Sequence, residues 1–236
     1  MEISSEVYGK APSGEDVEQY TLQNKKGTVV KIITYGAIVT AIEYKNRKGK
    51  IEDVTLGFDA LERYVQPHPY FGATVGRFAN RIAKGTFTID ARVFTLATNN
   101  GANALHGGTK GLDKVVWKAE PIELRNSVGV KLGYISLAGD EGYPGNLKVN
   151  VIYSLDNDNK LTIEYAATTD RPTPVNLTHH TYFNLSGAAS GKSILNHQLK
   201  MPASRYLPVD AGQIPTGERR SVAGTPMDFS RTNMIG

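Results

Sequence analysis

The chain has 236 residues, of which 40% are hydrophobic and 21% are charged, a balance typical of a folded globular protein rather than a disordered one. It contains no cysteine, which excludes disulfides and thiolate metal sites. The net charge of +4 does not indicate a nucleic-acid partner, because the densest basic cluster, residues 45–50, has the composition of a solvated hairpin tip.

The first residues, Met1 to Val7, are polar and acidic, without the basic and apolar regions of a secretory signal. No apolar run has the length that is needed to cross a bilayer. We therefore expect a cytoplasmic protein with no membrane partner.

Short apolar or alternating runs, separated by glycine, asparagine and proline, follow one another along the chain. The elements predicted in the first hundred residues are strands at 29–33 and 39–44 around a turn at 34–37, then strands at 86–89 and 93–96 joined by the link 90–92. Residues 59–64 have the composition of a helical turn, and little else in the chain does.

The strongest hairpin signal begins at Leu147. Apolar side chains occupy alternate positions of residues 147–153, and the same alternation returns at 161–165. Residues 156–159, all aspartate or asparagine, predict the turn between them.

Many short strands and almost no helical pattern predict an all-β fold, a sandwich or a barrel. The absence of repeats and low-complexity linkers favours a single domain over residues 1–236. Residues 227–236 resemble the middle of a domain rather than its end, so we expect a domain that is truncated at its C-terminus.

The five histidines are candidates for proton transfer, because imidazole titrates near neutral pH. The adjacent pair His179-His180 suggests a metal site, but neighbouring side chains of a strand point to opposite faces and cannot converge on one ion. His180 would share its face with Tyr182 and Asn184, and His179 would share the opposite face with residues 181 and 183. Periodicity alone leaves open which face meets a ligand. We expect no metal.

Three loop segments carry further candidates. His106 precedes two glycines that leave its ring uncrowded, although a polar loop residue without a special role has the same pattern. In residues 76–82, arginine and asparagine are suited to forked hydrogen bonds with vicinal hydroxyls, and surface ion pairs are the alternative. Residues 140–145 have the composition of a turn, whose tyrosine would suit the wall of a cleft.

Together these segments resemble the aldose 1-epimerase (galactose mutarotase) family over essentially the whole chain. The matching segments are 76–82, 105–108, 140–145, 174–185, 206–210 and 214–218, in the order and spacing of that family. The resemblance implies a large β-sandwich, the mutarotase-like supersandwich, with an open cleft for a free sugar such as glucose or galactose. It implies interconversion of α and β anomers by ring opening and reclosure, without a cofactor.

The resemblance also implies roles for individual residues. His180 matches the general acid that protonates the ring oxygen, and His106 matches the second histidine, which binds the sugar and polarises that oxygen. Asn80 and Arg81 match the sugar-binding asparagine and arginine. His179 departs from the asparagine that many members carry before the acid.

The family's general base, a glutamate, and a sugar-binding aspartate cannot be placed within residues 1–236. We therefore expect a chain of only these residues to bind sugar poorly and to turn over slowly or not at all. Alternatives are a non-catalytic sugar-binding or regulatory protein on the same scaffold and a relative that epimerises hexose phosphates. For the oligomeric state we expect a monomer or a dimer.

Overall fold

The computed structural model describes all residues, 1–236, and the first part of the chain forms an antiparallel five-stranded meander. Its strands are β1 (Glu2–Lys10), β2 (Asp16–Gln23), β3 (Val29–Ile33), β4 (Ile38–Lys45) and β5 (Ile51–Asp53). The predicted strands at 29–33 and 39–44 are therefore confirmed.

Residues 54–117 cross between two sheets through one short helix and several very short strands. These elements are α1 (Leu61–Val65), β6 (Thr74–Val75), β7 (Arg81–Ile82), β8 (Thr86–Ile89), β9 (Arg92–Thr95) and β10 (Ala104–Leu105). The β8–β9 hairpin turns at Asp90 and Ala91, which both have positive φ, so its second strand begins one residue earlier than predicted. The predicted helical turn is confirmed and starts two residues later, at Leu61.

The second sheet is a four-stranded antiparallel meander. It comprises β11 (Lys118–Leu124), β12 (Ser127–Ser136), β13 (Leu147–Asp156) and β14 (Leu161–Thr169). The predicted hairpin is confirmed and joins β13 to β14. Its turn is stabilised by Oδ1 of Asp156, which accepts hydrogen bonds from the N–H groups of Asp158 and Lys160 at 2.8 and 2.9 Å. Alternate residues of β13, including Val149 and Val151, are fully buried, as their period of two predicts.

The two meanders pack face to face and share one hydrophobic core, which confirms the predicted all-β sandwich. Its largest members from the first sheet and the second sheet are Tyr20, Leu22, Ile32, Leu132, Leu147, Tyr153 and Leu155. The opposite face of the first sheet packs on α1 through Leu61 and Tyr64.

The last part of the chain contains only two-residue strands. They are β15 (Thr178–His179), β16 (Gln198–Leu199), β17 (Arg205–Tyr206), β18 (Arg220–Ser221) and β19 (Asn233–Met234). Strand β15 pairs with β6, and this pairing brings the histidine segment next to the loops that leave the first sheet. None of the helices combines the length and the apolar character that a membrane crossing requires.

Candidate active site

An open cavity of about 550 Å³ lies where the histidine segment meets the loop around Asn80. Ten residues line it: Ala79, Asn80, His106, Asn176, Leu177, Thr178, His179, His180, Thr181 and Tyr182. Two of the lining residues are predicted catalytic histidines, and none is aspartate or glutamate. The structure therefore brings the predicted acid and polar groups together without a carboxylate.

His180 is held at the cavity by its backbone. Its N–H donates to the carbonyl of Ala73 at 2.9 Å, and its carbonyl accepts from the N–H of Gly72 at 3.1 Å. Its ring lies edge to face with that of His106, with 5.1 Å between the ring centroids, and 5.2 Å from the ring of Tyr182. Tyr182 thus lies beside His180 as predicted, whereas Asn184 is buried and does not line the cavity.

His106 is fixed by two hydrogen bonds with one residue. Its N–H donates to the carbonyl of Asn80, and its Nδ1 accepts from the N–H of Asn80, both at 3.0 Å. Burial lowers the pKa of His106 to about 4, and the charges of His180, Arg81 and Lys114 act in the same direction. At neutral pH the imidazole is therefore uncharged, and because Nδ1 accepts, its proton lies on Nε2. Nε2–H is the group that His106 can offer to a ligand oxygen.

Asn80 lines the same cavity, and Arg81 lies beside it. Asn80 is exposed and has a positive φ of 64°, a conformation that asparagine tolerates better than most residues. Nη1 of Arg81 donates to Oδ1 of Asn80 at 3.2 Å, while its Nε donates to Oδ1 of Asn100 at 2.9 Å. The amide of Asn80 and the guanidinium form a pre-arranged polar edge of the kind that binds hydroxyl groups.

His179 also borders the cavity, but its ring turns toward the protein interior. It lies 5.7 Å from the ring of Tyr153, and Nδ1 is 2.8 Å from Oγ1 of Thr181. Its Nε2 is buried and has no hydrogen-bond partner. Burial, with a contribution from the charge of His180, lowers the pKa of His179 to about 4. The two neighbouring imidazoles have different environments, as the strand pattern predicts.

Arg77 has a role in the structure that the sequence did not reveal. Its side chain is 2% exposed, and its guanidinium donates to the carbonyls of Ser136, Leu137, Pro144 and Gly145 at 2.7–3.0 Å. It also donates to Oγ of Ser136 at 2.9 Å. This arginine anchors the chain just before Asn80 to the loops at the ends of β12 and β13 and is not free to bind a sugar.

The segment 140–145 supports the site rather than lining it. Tyr143 is 2% exposed and packs 5.5 Å below the guanidinium of Arg77, so it does not form the wall of a cleft. Glu141 accepts hydrogen bonds from the N–H groups of Thr109 and Lys110 at 2.7 and 2.9 Å. Those bonds hold the loop that follows His106.

Sequence reasoning missed two residues beside the histidine pair. Nδ2 of Asn176 donates to the carbonyl of Ala79 at 3.1 Å and so ties the two walls of the cavity together. The ring of Tyr70 contacts both His106 and His180. Neither residue carries a sequence signal for these contacts, which join positions far apart in the chain.

A larger groove of about 690 Å³ lies on the outer face of the first sheet, next to β5. It contains no histidine, and two of its four carboxylates are in ion pairs: Glu43 with Lys31 at 2.6 Å and Glu52 with Lys50 at 2.9 Å. The two histidines predicted to take part in the reaction are both at the smaller cavity. No three histidine, aspartate or glutamate side chains are placed to hold a metal ion.

Comparison with known proteins identifies the family. The sequence model of the family described as aldose 1-epimerase matches residues 18–236. A galactose mutarotase of Bos taurus is 49% identical over 237 residues, which cover 100% of this chain and 67% of the relative. An aldose 1-epimerase of Escherichia coli (strain K12) is 40% identical over 231 residues, which cover 98% of this chain and 65% of that relative.

A solved structure gives the same result. The crystal structure of galactose 1-epimerase from Lactobacillus acidophilus NCFM superposes with a TM-score of 0.89 at 34% identity, covering 100% of this chain and 67% of that chain. The chain thus spans about two thirds of the length of these relatives. A match of this extent, over the histidine pair and both sheets, shows that the chain belongs to the aldose 1-epimerase family.

Proposed function

We propose that this chain acts on free aldoses such as glucose and galactose and interconverts their α and β anomers. Membership of the aldose 1-epimerase family supports the reaction. The observation that carries the assignment to this cavity is the pair of imidazoles of His106 and His180, 5.1 Å apart in an open pocket.

In the proposed reaction His180 is the general acid. Its proton passes to the ring oxygen of the sugar while the C1–O5 bond breaks, and a proton leaves the anomeric hydroxyl. Rotation about the C1–C2 bond then exposes the other face of the carbonyl, and the ring closes again. A positioned acid of this kind contributes about 10²–10⁴-fold to the rate.

The other site residues bind rather than transfer protons. Neutral His106 offers Nε2–H to the ring oxygen and supports the polarisation of that bond. Asn80 and Arg81 receive the hydroxyl groups of the sugar at the mouth of the cavity. A free sugar is suited to this polar edge because each hydroxyl both donates and accepts hydrogen bonds.

The anomeric proton needs a base, and none of the ten lining residues is a carboxylate. The family resemblance assigns that role to a glutamate outside residues 1–236. We therefore expect residues 1–236 alone to bind the sugar weakly against His106 and His180 and to turn it over slowly or not at all.

Polarimetry with freshly dissolved α-D-galactose tests the reaction, with a His180→Ala variant as the matched control and the longer Bos taurus relative as the positive control. Histidine-selective NMR on the same samples measures binding independently of turnover. We expect galactose to shift the signals of His106 and His180, with any acceleration lost in His180→Ala. Binding without acceleration dependent on His180 would favour the sugar-binding alternative, and no binding would refute the proposal.

A cytoplasmic location and a monomeric or dimeric state belong to the same proposal. Cell fractionation tests the first, and size-exclusion chromatography with light scattering tests the second.

A further inference from the structure

Tyr70 lies against both histidines without lining the cavity. Its ring centroid is 4.6 Å from that of His106, at an interplanar angle of 69°, and 5.6 Å from that of His180. Tyr70 is not among the ten residues that line the cavity. Its ring therefore packs on the two histidines from outside the cavity lining.

The backbone at Tyr70 has a conformation that tyrosine rarely adopts. Its φ is +57°, and the two site residues Asn80 and His106 have φ of +64° and +54°. A left-handed residue other than glycine is strained and persists only where the surroundings determine it, often at functional sites. Here the N–H of Tyr70 donates to the carbonyl of His68 at 2.9 Å, and its own carbonyl accepts from Ala73 at 3.1 Å. This turn leads directly into the residues that hold the backbone of His180.

The ammonium group of Lys114 lies over the face of the Tyr70 ring. Nζ of Lys114 lies 5.4 Å from the ring centroid and pairs with Oδ2 of the buried Asp113 at 3.0 Å. An ammonium is attracted to the negative face of an aromatic ring, so Tyr70 keeps this lysine close to the histidine pair.

We propose that Tyr70 is a positioning residue that holds the imidazole of His106 edge-on to that of His180 and excludes water from it. Two effects follow for His106. The Tyr70 ring supplies part of the burial that keeps the imidazole neutral, and the ring places Lys114 where its charge opposes protonation. The charged and titratable groups that face His106 are His180, Arg81 and Lys114, and all of them disfavour the imidazolium.

The role in catalysis rests on the proposed function, whereas the effect on His106 does not. The test therefore begins with a titration that needs no turnover. The chain has five histidines, so their ring signals can be followed individually by NMR after selective labelling. Tyr70→Phe keeps the ring, and Tyr70→Asn removes it while fitting the left-handed backbone. Tyr44→Asn, at an exposed tyrosine of β4, is the matched control.

We expect Tyr70→Asn to raise the titration midpoint of His106 toward the ordinary value of about 6.5. Tyr70→Phe and Tyr44→Asn should leave that midpoint unchanged. In the mutarotation assay, Tyr70→Asn should lower kcat about 10–100-fold with little change in KM, because a misplaced catalytic group costs rate rather than contact with the substrate. An unchanged His106 midpoint in a folded Tyr70→Asn variant would overturn the proposal.

If Tyr70→Asn does not fold, Tyr70→Phe still decides the matter. The ring of residue 70 should shift the His106 ring-proton signals in the wild type and in Tyr70→Phe alike, and nuclear Overhauser contacts should join the two rings. Absence of these contacts in either protein would contradict the positioning role. A Tyr70 variant whose mutarotation rate has a changed pH profile while the titration midpoint of His106 is unchanged would contradict it as well.

Discussion

The backbone N–H of Asn80 donates to Nδ1 of His106 at 3.0 Å, so one residue both lines the cavity and selects the tautomer of the imidazole beside it. The bond comes from the main chain, which means that changes to the Asn80 side chain leave it in place. Sugar contact and tautomer control can therefore be separated by mutation.

Asn80→Gly removes the amide but keeps a residue that adopts positive φ without strain. We expect the dissociation constant for galactose to rise about 2–13-fold, since one lost hydrogen bond is worth about 0.5–1.5 kcal/mol. The His106 titration should not change. NMR titration with galactose measures both. Gln213→Gly, at another exposed residue with positive φ, is the control and should bind as the wild type does. Equal affinity in both variants would remove Asn80 from the binding site.

The two adjacent histidines should differ sharply in their effect on the reaction. In a version that carries the family's C-terminal part, His180→Ala should abolish most of the mutarotation, because it removes the proposed general acid, a loss of about 10²–10⁴-fold. His179→Ala should retain much of the activity, because the ring of His179 packs on Tyr153. Initial rates by polarimetry give the comparison. Equal losses at the two positions would refute the assignment of His180 as the acid.

Acid should destabilise the fold through His106 and His179. Each has its pKa lowered to about 4 in the folded state, below the unfolded value of about 6.5. Between these values the unfolded chain binds more protons, so the free energy of unfolding falls as the pH falls from 6.5 toward 4.

Urea denaturation at several pH values measures this dependence. His179→Asn should flatten the slope by up to about 1.4 kcal/mol per pH unit, the value for one proton. We expect His106 to contribute less to the pH dependence of the free energy of unfolding, because it lies beside the open cavity. Identical slopes for wild type and His179→Asn would show that the buried imidazole is not neutral in the folded protein.

Loss of the Arg77 guanidinium should destabilise the protein strongly. Arg77→Met removes the guanidinium that donates to four carbonyl oxygens, two of them from Pro144 and Gly145. We expect a loss of about 3 kcal/mol or more, since bonds to a charged group are worth about 1.5–3 kcal/mol each. Thermal or urea unfolding measures it. Arg92→Met, at an exposed residue of β9, should change stability by less than about 0.5 kcal/mol. Similar losses for the two variants would contradict the anchoring role.

Much of the fold follows from local patterns. Alternation of apolar residues over 147–153, with the turn at Asp156, determines both the strand and the face that it buries. The rings of His179 and His180 have different environments, although only His179 belongs to a strand, β15. That residues 1–236 form one domain stays a prediction.

The support around the histidines could not be predicted in this way, because it depends on contacts between distant segments. Asn176 binds the carbonyl of a residue 97 positions earlier, and no composition rule marks that pairing. Tyr70 adopts a left-handed backbone, which sequence patterns assign to glycine, asparagine or aspartate. Arg77 and Arg81 lie close together in sequence, yet one is an internal anchor and the other faces the cavity.

The partners of Arg77 lie 59–68 residues later in the chain, on either side of the turn between β12 and β13. During synthesis, Arg77 therefore leaves the ribosome before the residues whose carbonyl groups accept from its guanidinium. The segment that carries Asn80 and Arg81 therefore acquires this anchor only when the connection between β12 and β13 is in place.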